Sequence, residues 1–252
     1  MEVLEQTEQG YLARVETIFF QVAPEVLSLI GVDDVERTIR ERKPKIEMID
    51  DSSMKGGYRF RENKLGVNGE KVECQKDLER TVTEEAIHWA HHVVNPFRDE
   101  LSYLENLPRI IAKNVLAESL SNFYFFRNVL IHMAEEPYLV YGGEPINTKI
   151  SRNMLDDERG KLVSLKEYDV RLKLGLVIDE EERSKHTIEY IQRLIHRISN
   201  VVVYELLVNT GLNIETFREL ARLTLDDYRE WFDGKSETAL RIEDIVMEKG
   251  LE

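Results

Sequence analysis

The chain is poor in cysteine and has no long apolar run. Cys74 is the only cysteine among 252 residues, which excludes an intramolecular disulfide and a cysteine-rich zinc module. No segment approaches the roughly 18 consecutive apolar residues of a transmembrane helix. The first residues are acidic, whereas a signal peptide begins with basic and then apolar residues. We therefore expect a cytoplasmic protein that does not associate with membranes.

The chain also has fewer basic than acidic residues. The chain has 48 acidic residues against 34 lysines and arginines, and the net charge of −14 disfavours non-specific binding to nucleic acid. One basic cluster is interrupted by Glu41 and has no aromatic side chains between its members, so we interpret it as a solvated helix end. The cluster comprises Arg37, Arg40, Arg42, Lys43 and Lys45.

Hydrophobic periodicity predicts an α+β, mostly helical fold with a small sheet near the N-terminus. Pro24 separates two predicted N-terminal helices, and the glycines at 56–57 separate predicted strands. We expect a first domain over 1–150 and an all-helical region over 151–252. The predicted helices cover 4–22, 24–42, 76–95, 98–105, 108–134, 154–175, 179–209, 213–222, 225–232 and 237–248, and the predicted strands cover 45–50, 58–61 and 64–67.

The predicted helix over 76–95 carries an unusual polar face. At 100° per residue, one side of this helix holds two carboxylates and three of the chain's six histidines. Solvated helix faces normally use Lys, Arg, Glu and Gln, because histidine is a weak helix former. This face therefore indicates metal binding or acid–base chemistry, with a plain surface or a buried polar cluster as the alternative. Its members are Glu84, Glu85, His88, His91 and His92.

The helix over 108–134 is apolar except for one narrow stripe that contains Glu118. Burying a glutamate in such surroundings is costly unless a positive group or a metal meets it. The alternative is that the stripe, Asn114, Glu118, Ser121 and Asn122, faces water. His186 and His196, farther along the chain, are expected on helix surfaces or packed among other residues rather than in a site.

The order of strands, Glu/His helix and glutamate helix over about 44–132 resembles the zincin metallopeptidases that use glutamate as the third zinc ligand. These enzymes carry His-Glu-x-x-His on the first helix. Here the motif position holds Glu84-Glu85-Ala86-Ile87-His88. The resemblance implies that Glu85 is the general base and that Glu84, His88 and Glu118 are ligands. It also implies that the strand Lys64–Val67 is an edge strand, binding an extended substrate at Leu65 and Val67.

This resemblance implies a metal-dependent hydrolase that acts on peptide bonds, with a peptide or protein as substrate or partner. Zinc is the first expectation for the metal. Because Glu84 replaces the first histidine of the motif, the ligand set is more anionic than usual and suits manganese or iron comparably. If Glu118 is the third ligand, the heteroatoms of His88 and Glu118 should lie roughly 3–5 Å apart.

Three alternatives remain open at the level of sequence. His88 and His92 are four residues apart, so they could form the imidazole pair, with Glu118 as third ligand and Glu84 or Glu85 as base. The protein could be a degenerate zincin that serves as a binding or regulatory module. A di-metal carboxylate protein needs two Glu-x-x-His motifs, and Glu85-x-x-His88 has no second copy.

Overall fold

The computed structural model describes residues 8–50, 54–96, 107–134, 140–141, 144–145, 152–163, 180–211 and 213–242. The helices are α1 Glu8–Ile30, α2 Val35–Arg42, α3 Gln75–Val94, α4 Leu107–Ala134, α5 over 152–163, α6 Glu180–Thr210, α7 Ile214–Arg222, α8 Tyr228–Phe232 and α9 Glu237–Leu240. The strands are β1 Lys45–Met48, β2 Gly56–Arg59, β3 Lys64–Val67, β4 Val140–Tyr141 and β5 Glu144–Pro145. The predicted α+β, mostly helical fold class is confirmed. The predicted helix over 98–105 lies outside the described residues.

The chain divides into two compact units. The first contains Met1–Asp99 with Phe217–Arg222, and the second contains Glu100–Thr216 with Leu223–Glu252. The division therefore falls well before the predicted boundary at residue 150, and it places α4 in the second unit. The physical reason is that α4 packs on α6. Side chains buried in these two helices include Val115, Leu116, Leu120, Phe123, Leu194, Ile198, Val201 and Val202.

Helix α1 continues through Pro24, so the predicted break at this proline is wrong. An internal proline costs about 3 kcal/mol, because it removes a backbone hydrogen bond and crowds the preceding turn. The apolar face of α1 is buried on both sides of Pro24, and this burial outweighs that cost. The helix ends instead at Ile30, before Gly31, whose φ of +84° suits glycine, and Val32 N–H donates to the Leu27 carbonyl at 2.9 Å.

The first unit contains a mixed sheet in which β3 is central. Its order is β1-β3-β2, with β1 parallel and β2 antiparallel to β3. The prediction that β3 is an edge strand is therefore wrong, because both of its sides already pair with backbone. The Leu65 and Val67 side chains are fully buried, and the continuous burial of residues 65–67 is typical of a central strand. Gly56 and Gly57 were expected to separate the predicted strands. They lie instead inside β2, which begins at Gly56.

Asn63 joins the β2–β3 turn to the end of α2. Its φ of +49° is in the left-handed region, and its Nδ2 donates to the carbonyls of Arg42 and Lys43, each at 3.2 Å. The Tyr58 hydroxyl donates to Asn63 Oδ1 at 2.9 Å, and Lys45 N–H donates to the Asn63 carbonyl at 2.9 Å. One side chain therefore fixes the turn against the start of β1.

We expect Asn63→Ala to destabilise the protein by about 2–4 kcal/mol, because it removes three side-chain hydrogen bonds and leaves a strained left-handed alanine. Asn63→Gly loses the same hydrogen bonds but tolerates the backbone, so it should recover about 1 kcal/mol relative to alanine. Urea unfolding of both variants measures the difference. Equal stabilities for the two would show that the backbone conformation contributes nothing.

Candidate functional site

Helix α3 carries the predicted Glu/His face and is anchored in the first unit by its opposite side. The helix was expected over 76–95 and is observed at Gln75–Val94, ending before Pro96. Trp89 is fully buried, its ring centroid lies 5.0 Å from that of Phe19 in α1, and its Nε1–H donates to the Arg42 carbonyl at 2.9 Å. The apolar face is therefore packed as its periodicity indicates.

The Glu/His face is not a plain solvated surface. Glu85 and His91 are buried at 6% and 2% exposure, and Glu84, His88 and His92 are half-buried. Glu85 Oε2 lies 3.5 Å from His88 Nδ1, so the helix brings together the two residues that the resemblance assigned as base and ligand. A carboxylate placed against Nδ1 orients an imidazole.

Strand β2 lies directly against Glu85. A Cβ atom on Gly56 would be 2.6 Å from Thr81 Cγ2 and 3.3 Å from Glu85 Oε1, so only glycine fits there without movement. The Lys55 ammonium, next to Gly56, binds Asp77 Oδ1 and Oδ2 at 2.9 and 2.8 Å, and this hydrogen bond lowers the pKa of the Asp77 carboxyl. The start of β2 is therefore held against the N-terminal half of α3.

His92 lies at the other end of β2, among aromatic rings. Its ring centroid is 5.9 Å from that of Tyr58 and 5.8 Å from that of Phe60. Burial raises the pKa of Tyr58, so its phenol stays protonated and donates to Asn63. His92 thus packs under the aromatic end of the strand.

Glu118 lies on α4 in the second unit, where its Oε2 is 3.4 Å from His196 Nδ1. The last residue of the stripe, Asn122, donates to Ser199 Oγ at 3.1 Å. Glu118 and Asn122 therefore face α6, and an imidazole lies beside the Glu118 carboxylate. His88 belongs to the first unit and Glu118 to the second. The short distance expected between them therefore stays a prediction.

A metal centre within the described residues would need at least three ligand side chains close together. No three His, Cys, Asp or Glu side chains among them are grouped so that they could hold a metal ion. Glu84, His88, His92 and Glu118 all belong to this part of the chain. Glu118 belongs to a different unit from Glu84, His88 and His92, so the zinc site, or the manganese or iron site, that the sequence suggested stays a prediction.

The second unit contains two buried carboxylates that sequence reasoning missed. Glu205 accepts hydrogen bonds from Arg159, Ser236 and Thr238 and lines a cavity of about 580 Å³. For Glu158, burial acts to raise the pKa, but hydrogen bonds from Lys161, Arg197 and Asn200 outweigh it, so the pKa lies below its usual value. A signal for Glu205 exists in the sequence, because this glutamate interrupts the apolar run over 201–208.

Comparison with known proteins does not identify this chain: no family model, curated protein or solved structure matches it. Within the described residues, every helix is too short or too polar to cross a membrane. The functional interpretation therefore depends on the geometry of the first unit.

We expect Gly56→Ala to destabilise the protein by about 1–3 kcal/mol, because the added methyl group overlaps Thr81 Cγ2. The matched control is Gly57→Ala, whose Cβ would meet only Met54 Cε at 3.9 Å and which should change stability by less than about 0.5 kcal/mol. Thr81→Ser removes the overlapping methyl group and should restore part of the loss in the Gly56→Ala background. Thermal unfolding of the four proteins measures these effects, and equal costs at both glycines would contradict the close approach.

Proposed function

We propose that the first unit is a polypeptide-binding module on a zincin-like scaffold, and that an extended segment of the partner adds to the sheet along β2. The observation that carries this proposal is the position of β2. It is antiparallel to β3 at one end of the sheet in the described residues, and its Gly56 lies against Glu85. The strand expected to receive a peptide is thus β2 rather than β3.

The hydrogen-bond pattern identifies which backbone groups a partner strand would use. Asn68 N–H donates to the Lys55 carbonyl at 2.8 Å, so these two residues form a hydrogen-bonded antiparallel pair. Such pairs alternate with non-hydrogen-bonded ones, which assigns Gly57–Gly66 to the first kind and Gly56–Val67 and Tyr58–Leu65 to the second. The N–H and C=O groups of Gly56 and Tyr58 therefore point away from β3, where an added strand would lie.

Glu85 and His88 support this proposal as a polar pair beneath the strand. The Glu85 carboxylate faces both His88 and Gly56, inside the first unit. The close approach of this buried carboxylate and of Thr81 leaves room only for glycine at position 56, so helix and strand lie in direct contact. This arrangement corresponds to the degenerate zincin, in which the scaffold presents a strand edge for binding.

Amide hydrogen exchange measured by NMR tests strand addition. The probes are three short labelled peptides in which threonine alternates with glutamate, glutamine or lysine. With the best-binding peptide at saturation, we expect slower exchange at the Gly56 and Tyr58 amides. The amides of Gly57 and Arg59 already face β3, so they serve as internal controls. Saturating binding that leaves the Gly56 and Tyr58 amides unchanged would overturn the proposal.

Metal-dependent peptide hydrolysis is the second candidate, and the placement of Glu85 beside Gly56 of β2, with His88 3.5 Å from its carboxylate, favours it. Glu84→His rebuilds the His-Glu-x-x-His motif and should raise zinc affinity by about tenfold or more, or about 1.4 kcal/mol. Calorimetric zinc titration measures this change. The control, Glu79→His, adds a histidine at an exposed position of the same helix. If Glu84→His binds zinc no better than the unmodified chain, Glu84 does not occupy a ligand position.

A further inference from the structure

Three cations form a row across the outer face of the sheet. In the strand register, Lys64 of β3 lies directly opposite both Lys45 of β1 and Arg59 of β2. Residues opposite each other share a face, so all three side chains project from the same side. Neighbouring strands are about 4.8 Å apart, and the row therefore spans about 10 Å.

The Glu47 carboxylate lies within ion-pair distance of all three cations, and Glu62 pairs with Lys64 as well. Glu47 lies 3.4 Å from Lys45 Nζ, 3.7 Å from Lys64 Nζ and 3.9 Å from Arg59 Nη1. Like charges directly opposite each other on a sheet are destabilising. Three cations around Glu47 leave the row with excess positive charge, and Glu62 offsets part of it at Lys64. This local excess occurs in a chain whose net charge is −14.

In the fold, the row continues into the basic cluster at the end of α2, which was expected to be a solvated helix end. The hydrogen bonds from Asn63 to the Arg42 and Lys43 carbonyls join the end of α2 to the β2–β3 turn. The turn adds Arg61, whose guanidinium carbon lies 5.8 Å from the Phe60 ring centroid. Lys43 Nζ similarly lies 5.7 Å from the centroid of the Phe20 ring. Lys43 and Phe20 thus meet here although they are far apart in sequence, whereas Arg61 and Phe60 are neighbours.

We propose that this cationic row selects an acidic polypeptide segment, with glutamate or aspartate at alternate positions of the strand added to β2. The inference rests on the proposed function, because the added strand sets the register. Side chains of an extended strand alternate between its faces, so every second residue of the partner lies on the side of Arg59. An acidic residue there continues the row as its anionic fourth member, about 4.8 Å beyond Arg59.

The surface favours a polypeptide over a nucleic acid. Bases bind to proteins by stacking on aromatic faces, whereas Phe20 and Phe60 have Lys43 and Arg61 over their rings. Glu47 lies within the row and would repel a continuous phosphate backbone. Isolated carboxylates, spaced by uncharged residues, can pair with the cations on either side of it.

Fluorescence anisotropy with the three alternating peptides tests the preference. The glutamate peptide should bind at least about fivefold more tightly than the glutamine peptide, and its affinity should fall as salt is added. Combining Lys45→Gln, Arg59→Gln and Lys64→Gln should weaken its binding by about tenfold or more, and Arg59→Gln alone by about threefold. Lys76→Gln removes the same charge from the exposed start of α3 and should leave the affinity within about twofold.

The Glu47→Gln variant tests whether the cationic row binds the peptide or only stabilises the sheet. Removing this carboxylate from the row should tighten binding of the glutamate peptide by about threefold, even though the variant loses the counterion of three cations. Unchanged or weaker binding by Glu47→Gln, or equal affinities for the glutamate and glutamine peptides, would overturn the inference. Tighter binding of labelled oligothymidylate than of the glutamate peptide would also overturn it.

The result distinguishes this inference from the function on which it rests. Slower exchange at Gly56 and Tyr58 with all three peptides at equal affinity would overturn charge selection and support strand addition. Charge-dependent binding without slower exchange at those amides would overturn strand addition, and with it the register proposed for the acidic residues.

Discussion

The carbonyl oxygen of Arg42 accepts hydrogen bonds from two side chains that come from distant parts of the first unit. Trp89 Nε1 reaches it from α3, and Asn63 Nδ2 reaches it from the β2–β3 turn. The Arg42 guanidinium in turn donates to the Val93 carbonyl at 3.0 Å, near the end of α3. Helix α2, the hairpin and α3 therefore meet at one residue. The position of β2 over Glu85 and the alignment of the cationic row both depend on this junction.

Local patterns predicted the parts of the structure that depend on local physics. The spacing of apolar residues located α3 to within a residue at each end, and strand β3 was predicted with its observed bounds. The helix break predicted at Pro24 was wrong because the cost of a proline is local, whereas the burial that outweighs it comes from tertiary packing. The edge position of β3 was wrong because strand order depends on pairing between segments, which periodicity does not contain.

For the candidate site as well, the sequence predicted local geometry but not contacts between distant segments. The face shared by Glu85 and His88 follows from helical geometry, and the structure places the two side chains 3.5 Å apart. The partner of Glu118 could not be identified from sequence, because His196 lies on a helix that follows much later in the chain. An acidic residue in an apolar helix indicates that some compensating group exists. It does not indicate whether that group is a metal, an imidazole or, as for Glu205, a set of hydroxyl groups and an arginine.

The shortness of β2 limits how long any bound segment can stay. Only Gly56 and Tyr58 turn their main-chain groups outward, which allows about four backbone hydrogen bonds, each with a net contribution of about 0.5–1.5 kcal/mol. Association also costs translational and rotational freedom, so the backbone alone gives a weak complex that dissociates quickly. If a segment adds to β2 as proposed, a sheet edge of this length suits rapid sampling of many chains, and side-chain charge then sets the residence time on the surface.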